Sequence, residues 1–123
     1  MKYLLILLTI SISACSQNNQ TELGESNAKK ELKFALSQES QHNALDSKSV
    51  IIKDRLTAIQ VAEPILFGIY GKDNIESQKP YECYLIENYW IIGGALPKDM
   101  LGGTFLIIID ARNSKVLKIT HGK

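Results

Sequence analysis

The sequence predicts an α+β domain, one main helix packed on a four-stranded antiparallel meander. Three patterns carry that expectation. Leu56, Ile59, Ala62 and Leu66 recur at helical spacing, residues 81–94 and 104–121 read as strands, and "EN" at 87–88 and "ARNS" at 111–114 supply turn chemistry between the strands.

Taken in order, the chain opens on Lys2, the apolar run "YLLILLTI" and the small residues that lead to Cys15. A single positive charge, a short apolar core and small residues before a cut site describe a signal peptide over residues 1–14. The apolar run is shorter than the roughly 20 residues that a bilayer crossing needs. Ile12-Ser13-Ala14-Cys15 fits the bacterial lipobox, in which the Cys15 thiol is lipidated with a diacylglyceryl group and cleavage leaves Cys15 as the new N-terminus. Two or three acyl chains, palmitate among them, would then hold the protein at a membrane. Ser16 follows where an Asp would favour retention at an inner membrane, so the expected place is the outer membrane, facing the periplasm, in a host with two membranes.

Residues 15–48 combine that cysteine with a polar tether rich in Ser, Asn, Gln, Glu and Lys. Such a composition buries too little to offset its ordering entropy, so the tether is expected to be disordered. Within it, "KKELKFAL" could form one or two helical turns, either solvated or docked, with Leu32, Ala35 and Leu36 on one side.

Residues 49–123 form the expected globular domain. Val50-Ile51-Ile52 could be a short strand, and Asp54 is placed to cap a helix from Arg55 to about Leu66. Pro64 predicts a kink or an early end, and "GKDNIESQKP" reads as loop. In the first hairpin Tyr81, Cys83 and Leu85 share a face, Glu87-Asn88 makes the turn, and Tyr89–Gly94 returns with Trp90 in the core. "FLIII", within 104–110, is apolar enough to be buried on both faces. Were that strand at a sheet edge, it would offer a route to dimers; the oligomeric state is otherwise open. Along 115–121, Val116, Lys118 and Thr120 oppose Leu117, Ile119 and His121.

The run "GGALPKDMLGG" at 93–103 invites a phosphate-loop reading, which fails. No Gly-Lys-Ser/Thr follows, the second glycine pair leads into a strand, and Pro97 deletes an amide from any anion nest. It is better read as a crossing between strands, with a bulge or close backbone approach at Gly93-Gly94, Lys98-Asp99 in water and Met100-Leu101 capping the core.

No catalytic, cofactor-binding or metal-ligating set emerges. The two cysteines are Cys15 and Cys83, and the two histidines are His42, in the tether, and His121. Cys83 and His121 could meet in space as a nucleophile pair, yet Cys83 sits on an apolar strand face where a thiol behaves as a small hydrophobe. With 14 Lys+Arg against 13 Asp+Glu, and only Lys2 lost on cleavage, the charge is too even for a nucleic-acid binder.

Several elements together point to a family. They are Tyr70-Gly71-Lys72, Lys79-Pro80-Tyr81, Trp90, Gly94-x-Leu96-Pro97, Gly102-Gly103 and the ending Lys118-Ile119-Thr120-His121-Gly122-Lys123. In this order, over residues 54–123, the chain resembles the NTF2-fold immunity proteins of the YbbC/YhhH type. The resemblance implies a small NTF2/cystatin-like cone and a non-enzymatic role, binding and neutralising a cognate polymorphic or contact-delivered toxin. It carries no catalytic residue; Tyr70, Gly71, Trp90, Gly94, Leu96, Pro97, Gly102, Gly103, His121 and Gly122 stand as its structural signature. One clear helix, where that fold has three, points to a reduced version. The alternatives are a PepSY-like periplasmic binding or regulatory lipoprotein, suggested by the Asp110–Lys115 turn, and a small hydrolase using Cys83 and His121.

Overall fold

The computed structural model describes residues 22–37 and 43–122, in two compact units, Met1–Gln41 and His42–Lys123. The signal segment, the lipobox with Cys15, His42 and Lys123 lie outside the described residues.

In the first unit, α1 spans Glu25–Ser37 and buries none of its residues. A Glu25–Lys29 ion pair one turn apart supports it, at 2.6 Å and fully in solvent, an arrangement that contributes little. Leu32, Phe34 and Leu36 are all exposed. The expected tether thus carries a helix of 13 residues, longer than the one or two turns its pattern offered and not disordered there.

The second unit starts from Asp54, whose carboxylate accepts from the Thr57 amide at 2.8 Å and from the Thr57 hydroxyl at 2.9 Å. Those bonds hold its carboxyl below the usual carboxylate range. The capped helix, α2, runs Arg55–Tyr70. It passes through Pro64, which is exposed, and does not stop near Leu66. Burial of Ala62 and Leu66 on either side of Pro64 outweighs the one backbone bond lost there. The buried stripe is Ala58, Ala62 and Leu66, with Ile59 packed against the core; of the expected Leu56, Ile59, Ala62 and Leu66 stripe only Leu56, 64% exposed, turns outward. Gly71, at φ 88°, ends the helix and donates to the Phe67 carbonyl at 3.0 Å. A further short helix, α3, occupies Lys72–Glu76, where a loop was expected, and buries Ile75.

The sheet follows as β1 (Glu82–Ile86), β2 (Tyr89–Gly93), β3 (Phe105–Asp110) and β4 (Val116–His121), paired antiparallel in chain order. Glu87 and Asn88 both take positive φ, 49° and 67°, as a two-residue hairpin turn demands. β3 is interior, and β1 and β4 form the edges, so the Phe105 strand, bonded on both sides, offers no free edge for strand pairing. Val50–Ile52 forms no strand; the Ile51 and Ile52 amides instead donate to the Ala111 carbonyl at 2.8 and 3.0 Å.

One face of the sheet carries Trp90, Ile92, Phe105, Ile107 and Ile109, all buried with α2 and α3 residues in a single core. Trp90 donates its indole N–H to the Ile52 carbonyl at 2.9 Å. In β4 the expected alternation is broken, because Ile108 pairs with Lys118 and Ile109 with Val116. The bulge leaves Leu117 unpaired and exposed, and sets Val116, Ile119 and His121 together on the half-buried side.

Candidate functional site

The opposite face of the same sheet is where the chain offers a surface. Strand alternation places Tyr84 of β1, Ile91 of β2, Ile108 of β3 and Lys118 of β4 in one cross-strand row. Glu82, Gly93, Leu106 and Thr120 form the next row, and Ile86, Tyr89 and Asp110 form a third. Tyr84 and Ile86 are 55% and 52% exposed, while Ile91, Leu106 and Ile108 are half-buried. The "FLIII" strand is therefore fully covered on one side only. Leu117 extends the apolar area toward the β4 edge.

Polar groups frame this patch. At one end Arg112 makes a two-pronged bond to Asp110, each contact 2.9 Å, and donates to the Tyr89 hydroxyl at 2.9 Å while lying over the Tyr89 ring. The guanidinium holds the Asp110 carboxyl below the usual carboxylate range, and Asp110 in turn raises the Arg112 value. The Asp110–Lys115 turn is closed by the Asp110 amide on the Lys115 carbonyl at 2.8 Å. Glu82 and Lys118 mark the two long sides. An apolar centre with a charged rim is the anatomy of a protein-docking surface.

A second concavity, of about 540 Å³, lies beside α2 and is lined by Arg55, Leu56, Ile59, Glu63, Lys79 and Tyr81 among others. Its polar groups largely satisfy one another. The Tyr81 hydroxyl donates to Glu63 at 3.0 Å, Lys79 sits 3.6 Å from the same carboxylate, and Arg55 donates to the Tyr81 carbonyl at 2.9 Å. Burial first, and then Glu63, push the Tyr81 hydroxyl value upward, so the phenol stays protonated.

Cys83 and His121 are not brought together. They occupy opposite edges of the sheet, three strand spacings or about 14 Å apart. Burial raises the Cys83 thiol, the reverse of nucleophile activation. Among the described residues no group of three or more His, Cys, Asp or Glu side chains could hold a metal ion, and no helix is long and apolar enough to cross a membrane.

Two of the signature residues, Gly94 and His121, meet at one buried polar side chain that sequence reasoning missed, Gln78, only 2% exposed. Its Oε1 accepts the Phe105 amide at 2.9 Å, which orients the amide group, and its Nε2 reaches His121 Nε2 at 3.1 Å. Because a carbonyl can only accept, His121 Nδ1 donates to the Gly122 carbonyl at 2.8 Å, which leaves Nε2 to accept from the Gln78 amide. Tyr70 stacks on that ring, with centroids 5.0 Å apart. A Cβ at Gly94 would overlap the Gln78 side chain, and one at Gly103 would overlap the Gly122 backbone. Gly102, at φ 146°, turns the chain toward Gly103. Leu96 is half-buried, while Pro97 is exposed and accepts the Met100 amide at 3.0 Å. Met100 and Leu101 do not cap the core; they are 60% and 102% exposed.

Residues 57–123, more than half the chain, match the family Imm-NTF2-2, described as NTF2 fold immunity protein. The chain belongs to that family. Two relatives from Escherichia coli (strain K12) are similar to it. Uncharacterized protein YhhH is 32% identical over 74 residues, covering 59% of this chain and 58% of the relative. Uncharacterized protein YbbC is 38% identical over 82 residues, covering 64% and 67%. The chain thus spans only part of the length of the first of these. No solved structure matches.

Proposed function

We propose that this NTF2-fold immunity protein is a lipid-anchored envelope protein that binds a cognate contact-delivered toxin on the open sheet face and neutralises it. The observation that carries the reading is the uncovered apolar centre of that face, Tyr84, Ile86, Ile91, Leu106 and Ile108, rimmed by Glu82, Lys118 and the Asp110–Arg112 pair. An inhibitor needs a stable surface and no reactive group, and the separation of Cys83 from His121 suits a non-catalytic role. Aromatic and aliphatic side chains at the middle of such a patch dominate binding energy. The lipobox at Ile12–Cys15 supports attachment at the membrane, with the domain facing the periplasm.

Co-expression in the periplasm with the toxin encoded by the neighbouring gene tests the binding half. Survival of the cells and co-purification of the pair are expected; killing without co-purification would sink the idea. The anchor is tested separately by Cys15→Ser, which is expected to abolish labelling by radioactive palmitate and move the protein to the soluble fraction. Unchanged labelling would contradict the anchor alone.

A further inference from the structure

The two edges of the sheet differ. β4 is blunted by its bulge and by Lys118, devices that discourage strand addition. β1 is regular in its pairing with β2, has no proline or lysine, and exposes Tyr84, Leu85 and Ile86 consecutively at 55%, 46% and 52%.

Its backbone polarity follows from the hairpin. A two-residue turn closes on a hydrogen-bonded pair, here Ile86 with Tyr89, and such pairs alternate along an antiparallel ladder. Ile86, Tyr84 and Glu82 therefore bond inward to β2, while Leu85, Cys83 and Tyr81 direct their N–H and C=O groups outward. The Arg55 guanidinium on the Tyr81 carbonyl, at 2.9 Å, agrees with that parity. It also occupies the outward acceptor at the start of the strand. The outward groups remaining within β1 are those of Cys83 and Leu85, symmetric about Tyr84.

We propose that β1 pairs with β1 of a second copy of this chain, antiparallel and centred on Tyr84. In that register Cys83 faces Leu85 of the second copy and Leu85 faces its Cys83. Both outward donors and both outward acceptors are satisfied, and the four-stranded sheets join into one of eight strands. Glu82 falls opposite Ile86, so no like charges meet, and Tyr81 falls opposite Glu87, which brings a carboxylate toward Arg55. A single charged residue within the strand and outward groups of Cys83 and Leu85 that meet no partner among the described residues make a second copy the occupant that fits. The ladder is short, so association is expected to be weak, with a Kd between about 1 µM and 1 mM.

Cysteine cross-linking of the full-length chain in cells tests the register. On a Cys83→Ser background, Tyr84→Cys brings two thiols to a close, non-hydrogen-bonded pair at the two-fold axis. A covalent dimer is expected on oxidation. Glu82→Cys, offset by four residues from its own copy, and Lys118→Cys, on the other edge, are expected to give at least tenfold less. Equal cross-linking at all three positions, or none at Tyr84→Cys, overturns the proposal. Sedimentation equilibrium of the otherwise unaltered chain from residue 15, with Cys15→Ser and under reductant, guards against a misfolded variant. A monomer up to roughly 1 mM, the weak limit given above, overturns self-pairing, as does a dimer that Leu85→Lys leaves intact. Dissociation by Leu85→Lys supports it.

Discussion

The two faces of the sheet are built from nearly the same residues and come to opposite ends. On the face under α2, Trp90, Ile92, Phe105, Ile107 and Ile109 are all at most 6% exposed. On the other, Ile91, Leu106 and Ile108 sit on the same two strands with Tyr84 and Ile86 beside them, half-buried or open. Composition does not separate the faces; cover does. Apolar side chains under the helix are accounted for by folding, while those on the open face leave area for another surface to bury.

The difference can be broken first at the covered face. Phe105 is fully enclosed and meets Tyr81 edge-on at 5.2 Å. Phe105→Ala is expected to lose about 3–5 kcal/mol in chemical denaturation, enough to unfold much of a domain this small. A loss below about 1 kcal/mol would mean that the face is less packed than described.

Next comes the polar hub beneath that face. Gln78→Leu removes the acceptor for the buried Phe105 amide. The expected loss is about 1–3 kcal/mol, the range for an orphaned buried donor, read as a lower denaturant midpoint. An unchanged midpoint would show that water or a neighbour takes over.

Gln78 also shows where sequence reading stops. Asp54 as a cap, the Glu87-Asn88 turn and the four-strand order were legible, because each is a local pattern with a local cause. Gln78 lay in an apparent polar loop with no periodicity, and the reason for Gly94 beside it exists only once the segments that follow α3 and β2 meet, where the Ala95 amide donates to the Gln78 carbonyl. The same holds for α3, whose five residues offer one apolar anchor, Ile75, and for the β4 bulge, which moves Val116 across the sheet. Pro64 misled in the other direction: a local penalty was outweighed by packing on both sides of it. The open face was half legible. "FLIII" declared an apolar strand, but which of its sides lacks a cover depends on where α2 lies.

At the rim, the Asp110–Arg112 pair links the open face to pH. The folded Asp110 value is depressed, so its contribution is present above the ordinary carboxylate value of about 3.9 and is lost as pH falls through the folded value. Asp110→Asn is expected to be less stable than the parent at pH 7, with the gap between their melting temperatures closing as pH falls below the ordinary carboxylate value of about 3.9. A gap independent of pH would mean that the carboxylate charge is not what Arg112 holds.

The smallest stability effect is expected on the open face, and it tests the account most directly. Ile86→Lys puts a charge at a position already 52% exposed, at the edge of the apolar centre. In a self-paired sheet it would face Glu82 of the second copy, so self-association is expected to survive. Stability should change by no more than about 0.5 kcal/mol. Measured together, melting temperature and protection against the neighbouring-gene toxin separate the two faces. An unchanged melt with at least a tenfold loss of toxin affinity and loss of protection is expected; full affinity and protection with the same melt would rule out the open face as the docking surface.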